Sequence, residues 1–519
     1  MKGLSKPCPK IKRREKGMNT LLNGMKQATN FTLTENGGIT HKTTNSDLLD
    51  MFAMGAAMRN RSDEDVILMF QKAYAENPEL AMKMLFYIRD VRGGQGERRF
   101  FRVVIRYMAN NKTMRESIRK NIENIAEYGR WDDLYSLCDT PLERDAFAFI
   151  KRQLALDLEC KTPSLLAKWM KSENASSNET KRLADKTRRY LGMSHKEYRK
   201  TLSIMRARIN VLEVLMSANR WDEIEFDKIP SKAGLIYKNA FARRDMIKAK
   251  YEAFAKDENT KVNAAALYPY EVVEKAINLM HPSWYYDRNT VALDNTDRLM
   301  INKYWDNLTD YFKGAKLDAL CMIDTSGSMS GTPINVATAL GLYCAERNQG
   351  PWHNHYISFS SRPQLIETAG VDFCDKVYRI VSTNLCENTN IEAAFDLVLN
   401  TAIRTGAKLP EYMIVISDME FDHATNNYWH NTGGICTANA ESVMETIERK
   451  FNNYGFQMPK LIYWNVDARQ ANIPMIGNHY VSYVSGFSPS IFQSILTGKT
   501  GWDLMMDAIG GERYERIHA

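Results

Sequence analysis

The chain has no apolar run long enough to cross a bilayer and no Cys-x-x-Cys pair, and its first half carries almost no strand signal. The first absence excludes a transmembrane helix, which needs about 20 consecutive apolar residues. Eight cysteines are scattered over 519 residues. Cys321 and Cys344 fall within apolar patterns, as buried thiols of a reducing compartment do. The N-terminal stretch Met1 to Lys16 is basic, but no apolar segment follows it, so it does not read as a secretory signal. With Pro7 and Pro9 it reads as a flexible arm, and the cytoplasm is the expected compartment.

Catalytic signatures are missing too. There is no Gly-x-Ser-x-Gly elbow and no His-Glu-x-x-His helix. Gly93-Gly94-Gln95-Gly96-Glu97 is not a phosphate-binding loop, because no strand precedes it and no Gly-Lys-Ser/Thr follows. His353-Asn354-His355 has the letters of a nuclease motif but opens a strand and lacks the surrounding metal pattern. The expectation is a protein without enzymatic activity and without catalytic residues.

What is present is ordinary in bulk, with 44% apolar and 25% charged residues. The length implies about two to four domains. The net charge of +7 is modest, but Lys181 to Arg208 holds ten basic residues against Asp185 and Glu197, about +8. Such a block suits a polyanion, or else forms a solvated helical face.

From about Ser46 to Leu308 apolar residues recur at helical steps. Helices are predicted over 63–75, 78–89, 97–108, 114–128, 143–159, 196–218 and 235–256. Gly129-Arg130-Trp131-Asp132-Asp133-Leu134 recurs as Asn219-Arg220-Trp221-Asp222-Glu223-Ile224, and more faintly at Tyr304-Trp305-Asp306-Asn307-Leu308. This echo fits stacked helical repeats in which Trp wedges between helices and Asp caps the next one.

Near residue 315 short apolar runs begin to alternate with helical segments. Strands are predicted over 317–323, 355–359, 412–417, 460–465 and 480–484, with helices over 333–347, 391–404, 438–451 and 488–496. This alternation implies a mainly parallel, doubly wound sheet, whose ligands bind at the carboxyl ends of the strands. The domains expected are therefore a basic arm over 1–43, an all-α HEAT-like repeat domain over 44–314, and an α/β, Rossmann-like domain over 315–519.

Asp324-Thr325-Ser326-Gly327-Ser328 follows the first strand of that second domain and offers three oxygen side chains from one loop. Thr389, just before the helix at Ile391, and Asp418, just after the strand 412–417, can add two more. Such a set suits a hard divalent cation, Mg²⁺ first, with Mn²⁺ or Ca²⁺ as alternatives. Two of the three first-loop groups are neutral, so the cation would keep charge for an anionic ligand from a partner. His423 and His430 follow Asp418 and could bind a softer metal, or lie in a solvated loop.

The five oxygens resemble the metal-ion-dependent adhesion site of von Willebrand factor A domains. Asp324, Ser326 and Ser328 match its first loop, Thr389 its middle threonine and Asp418 its strand-end aspartate. Phe86-Tyr87-Ile88-Arg89-Asp90 leading into Val91-Arg92-Gly93-Gly94-Gln95-Gly96-Glu97-Arg98-Arg99 resembles the helix-turn-helix of the TROVE module of Ro-type RNA-binding proteins. Ser164 to Met170 and Ser485 to Pro489 look closer to a branch of that architecture frequent in viruses and bacteriophages. The resemblance implies a ring of helical repeats followed by an A-like domain. It also implies an RNA partner, with a single-stranded end in a basic hole and duplex outside. Candidate RNA contacts are Lys168, Lys171, Arg182, Arg188, Arg189, Arg199, Arg206 and Arg208; Arg92, Arg98 and Arg99 could join them from an inner lining. The competing expectation is a protein adaptor that captures a partner carboxylate on the cation. A metal-dependent nuclease ranks third.

Overall fold

The computed structural model describes residues 30–209, 211–264, 267–280, 293–359, 362–369, 372–383, 390–422, 441–476 and 480–519. A hairpin of β1 (Phe31–Leu33) and β2 (Ile39–His41) comes first. It corrects the expected arm of 1–43 for residues 30–43, and residues 1–29 lie outside the described residues. The residues from Asn30 onward are built into the protein, with the His41 and Ile473 backbones exchanging two hydrogen bonds of 3.0 and 2.9 Å.

Helices then follow almost without interruption. They are α1 (Asp47–Met54), α2 (Asp63–Glu76), α3 (Pro78–Arg89), α4 (Arg98–Asn110), α5 (Arg115–Tyr128), α6 (Glu143–Glu159) and α7 (Leu166–Trp169). Next come α8 (Asn178–Leu191), α9 (His195–Arg208), α10 (Leu212–Ser217), α11 (Ser231–Ala242), α12 (Asp245–Lys256), α13 (Pro269–Met280) and α14 (Asn295–Asp306). Local chemistry sets their ends. Ser62 caps α2, Asn77 caps α3 ahead of Pro78, and Ser194 with Glu197 makes a reciprocal capping box on α9. Gly192 ends α8 in the left-handed conformation, which glycine alone adopts at little cost.

The predicted helix over 196–218 is two helices, α9 and α10. That over 235–256 breaks between α11 and α12, where Arg244 takes extended backbone. The Trp-Asp echoes are packing devices. Trp131 stacks on Phe149 at 5.4 Å, Trp221 lies under the Arg244 guanidinium at 3.8 Å, and Trp305 stacks on Phe373 at 4.1 Å.

The second half carries β3 (Ala319–Asp324), α15 (Thr332–Arg347), β4 (His355–Phe359), β5 (Gln364–Glu367), α16 (Phe373–Thr383), α17 (Ile391–Thr405) and β6 (Tyr412–Ser417). It closes with α18 (Val443–Asn453), β7 (Lys460–Asn465), β8 (Val481–Ser485), α19 (Phe492–Ile495) and α20 (Gly501–Ile509). The six strands lie in the order β5-β4-β3-β6-β7-β8. All pairs are parallel except β4 with β5. An all-helical half followed by a doubly wound α/β half is the expected architecture.

Because side chains alternate along a strand, each face of the sheet has its own cover. Leu320, Met322, Met413 and Val415 pack under α17 and α18. Cys321, Ile323, Ile414, Ile416 and Trp464 join a core that continues through α15 into the helical half. α1 lies on β8, α13 on α15, and α20 on both β8 and α3. Each large apolar side chain buried across this seam contributes roughly 1.5–3 kcal/mol, so the halves share one core instead of meeting at a polar boundary.

Candidate cation site and basic surface

β3 and β6 are neighbours, yet the chain leaves β3 towards β4 on one side and returns through β6 on the other. Their carboxyl ends therefore flank the switch point, where a crevice opens in doubly wound sheets. Asp324 ends β3 and Asp418 follows β6, and both are buried.

Asp324 Oδ1 accepts the Ser326 N–H at 2.9 Å, which folds the loop back on itself. Ser326 and Ser328 hydroxyls lie 3.0 Å apart. Ser417, the last residue of β6, donates its hydroxyl to Asp324 Oδ2 at 2.5 Å. Asp418 Oδ1 accepts the Glu420 N–H at 3.2 Å, and its Oδ2 accepts from Arg469 at 2.7 Å. Met419 between them adopts φ 65°, uncommon for a residue with a side chain. Glu420 is also buried, accepting from the Glu35 N–H at 2.7 Å and from Asn472 at 2.8 Å.

Asp324, Glu420 and Asp467 thus each feel the charge of Asp418. Burial, then the charge of Asp418, pushes the Asp324 carboxyl up to about 7 despite its hydrogen bonds from Ser417 and Ser326. Burial also lifts Glu420 to about 7, with Asp418 and Glu35 adding repulsion. Asp467 is raised by burial and again by Asp418. A positive charge placed among them would relieve both burial cost and repulsion.

Asp324 is linked to Ser326 and through it to Ser328, and it feels the charge of Asp418, whereas Thr389, His423 and His430 lie outside the described residues. Carboxylate and hydroxyl oxygens fit Mg²⁺, Mn²⁺ or Ca²⁺. Among the described residues no group of His, Cys, Asp and Glu is assembled to hold a metal by itself. A cation here would depend on the serine oxygens.

The basic candidates fare unevenly. Arg206 donates to the carbonyls of Ala167 and Met170 and to Ser172, and Arg208 donates to those of Asp157, Leu158 and Cys160. Both tie off helix ends. Arg182 pairs with Glu179 and Asp139, Arg188 with Asp185 and Glu173, and Arg199 with Glu173. Arg189 pairs with Asp185 but keeps 71% of its side chain exposed. Acids distant in sequence, Asp139 and Glu173, thus compensate a block that looked unbalanced.

A second cationic cluster lies beside it, with Arg130 paired to Asp132. Arg98, Arg102 and Arg106 occupy successive turns of one face of α4, and Arg98 and Arg106 are exposed. Arg102 pairs with Asp132 and Asp133, and Arg106 reaches the Cys138 carbonyl at 3.5 Å. Next to them the Arg130 guanidinium lies 4.2 Å over the half-buried Trp169 ring, with Lys168 5.9 Å from the same ring. Lys171 sits 5.0 Å over Tyr135. Burial lowers the Lys171 ammonium, Asp132 partly restores it, and Arg102 and Arg130 repel it. The i, i+4, i+8 spacing of the three arginines was readable in sequence; their meeting with Arg130 and Trp169 was not.

Two family profiles match the chain, each a domain of unknown function. DUF7788 covers residues 318–512, the α/β half. DUF2828 covers 34–138 and 153–315, more than half of the chain, and the protein belongs to that family. Its relatives include the uncharacterized protein L728 of Acanthamoeba polyphaga mimivirus, 29% identical over 522 residues, covering 91% of this chain and 85% of L728. Among solved structures, the Deinococcus radiodurans RO (RSR) protein aligns with TM-score 0.42 and 12% identity, over 90% of this chain and 100% of that one. No helix among the described residues is long and apolar enough to cross a membrane.

Proposed function

We propose that the protein is a non-enzymatic RNA-binding scaffold of Ro type, with a divalent cation site on its α/β half. The observation that carries the reading is the surface formed by Arg98, Arg102, Arg106, Arg130, Lys168 and Lys171, in which Arg130 and Lys168 lie over Trp169 and Lys171 over Tyr135. Arginine and lysine neutralise phosphates, while an arginine plane stacked on an indole offers a platform for an unpaired base. Arg189 and Arg199 extend the positive field over the neighbouring α8 and α9. Asp324, Ser326, Ser328 and Asp418 would hold the cation, which supplies a coordination position for an anionic group of a partner.

The test is fluorescence anisotropy with a labelled RNA hairpin bearing a single-stranded 3′ tail. Reversal of Arg98, Arg102 and Arg106 to Glu is expected to abolish binding, and Trp169→Ala to weaken it by about 1–3 kcal/mol. Unchanged affinity in the charge-reversed protein would refute the reading.

The crevice at the switch point favours a second reading, a protein adaptor whose cation captures a partner carboxylate. It predicts that chelation or Asp324→Ala releases a protein and leaves RNA affinity intact.

A further inference from the structure

Asp418 does not face the crevice alone. Its Oδ2 accepts from Arg469 Nη2 at 2.7 Å, and the other terminal nitrogen of Arg469 lies 2.8 Å from Glu35. The two partners differ in setting, since the Asp418 side chain has no exposure and that of Glu35 retains 39%. A guanidinium is therefore placed where a cation's charge would be felt, bridging the strand-end aspartate and the tip of the N-terminal hairpin.

The placement is built by the helical half. Arg61 donates to the Arg469 carbonyl at 2.7 Å, the Ala468 N–H reaches the Ala57 carbonyl at 3.1 Å, and Asn60 bonds Asp467 at 3.1 Å. The short connection from α1 to α2 thus pins the segment 467–469 beside the crevice. The charged groups felt by Arg469 are Asp418, Glu35 and Glu420, and Asp467 also feels both Asp418 and Arg469.

We infer that Arg469 is a resident counter-cation of this crevice, a positioning residue that holds Asp418 and sets how tightly the Asp324 loop takes a divalent cation. The inference rests on the cation-site reading and deepens it. Like charges separated by a single carboxylate repel strongly at the effective dielectric of a protein surface. Removing the guanidinium should therefore tighten cation binding even though it loosens Asp418. Glu35 acts in the opposite sense: its carboxylate, 2.8 Å from Arg469, offsets part of the guanidinium charge.

The experiment is calorimetric titration of the full chain with Mn²⁺ alone, for the wild type, Arg469→Gln, Arg469→Lys, Glu35→Gln and Asp324→Ala. Arg469→Gln should bind about tenfold tighter or more, Arg469→Lys close to wild type, and Glu35→Gln more weakly. Equal affinity across the Arg469 and Glu35 variants, with binding still abolished by Asp324→Ala, overturns the role of Arg469 and leaves the cation site standing. Absence of Mn²⁺ binding that depends on Asp324 in every folded variant overturns both. Because Arg469→Lys and Glu35→Gln preserve a cation at the site, they decide the matter even where Arg469→Gln fails to fold.

Discussion

Ser417 donates its hydroxyl to Asp324 at 2.5 Å, joining the carboxyl ends of two adjacent parallel strands across the switch point of the sheet. The same hydroxyl accepts the Met419 N–H at 3.0 Å, so it also shapes the turn that presents Asp418. Ser417→Ala leaves a buried carboxylate oxygen without this donor. The expected loss is about 1–3 kcal/mol, read as a lower urea midpoint with unchanged slope.

Asp133 is the pivot of the basic surface. It is buried and bonds Arg89 at 2.8 Å, Arg102 at 2.6 Å and the Arg130 N–H at 2.9 Å. Asp133→Ala strands the buried Arg89 guanidinium and should cost about 3–5 kcal/mol. Replacing Arg89 and Asp133 together by Met and Leu should cost less than Asp133→Ala alone. Chemical denaturation of the two variants checks the order.

Gly38 lets the hairpin close on the loop after β6. A Cβ there would lie 2.5 Å from the Phe421 carbonyl oxygen and 2.8 Å from that of Asp422. Gly38→Ala should displace the hairpin, seen as faster hydrogen exchange at residues 31–41, while amides of α3 and α4 keep their protection.

Arg208 belongs to stability more than to recognition. Its donors hold three carbonyls at the end of α6. Arg208→Ala should lower stability by about 1–3 kcal/mol while RNA affinity, measured well below the unfolding midpoint, stays unchanged.

Where burial dictates sequence, the fold was legible. β4, β6 and β7 run over the residues predicted for them, and β6, buried throughout between two parallel neighbours, reads as a nearly continuous apolar run. β5, Gln364-Leu365-Ile366-Glu367, is an exposed edge strand with no such run and went unpredicted. So did the hairpin, whose short strands are fixed by contacts with Phe421 and Ile473, far away in sequence. The same division holds at the site. Asp324, Ser326, Ser328 and Asp418 follow the ends of β3 and β6, where a sequence reading looks for ligands. Arg469 was silent, since only the folded chain places it between Asp418 and Glu35. In the α8–α9 charge block a sequence window cannot see Asp139 and Glu173, whose carboxylates pair with Arg182, Arg188 and Arg199 only in the folded chain.

On the proposed reading, the α4 surface with Arg130 and Trp169 takes RNA through its phosphates. Its most direct test is the salt dependence of binding to the tailed RNA hairpin, compared between the wild type and the Arg98, Arg102, Arg106→Glu protein. Wild-type affinity is expected to fall steeply with salt, and the reversed protein to have lost both the affinity and most of the slope. Tight, salt-insensitive binding, or an identical slope in the reversed protein, would contradict it.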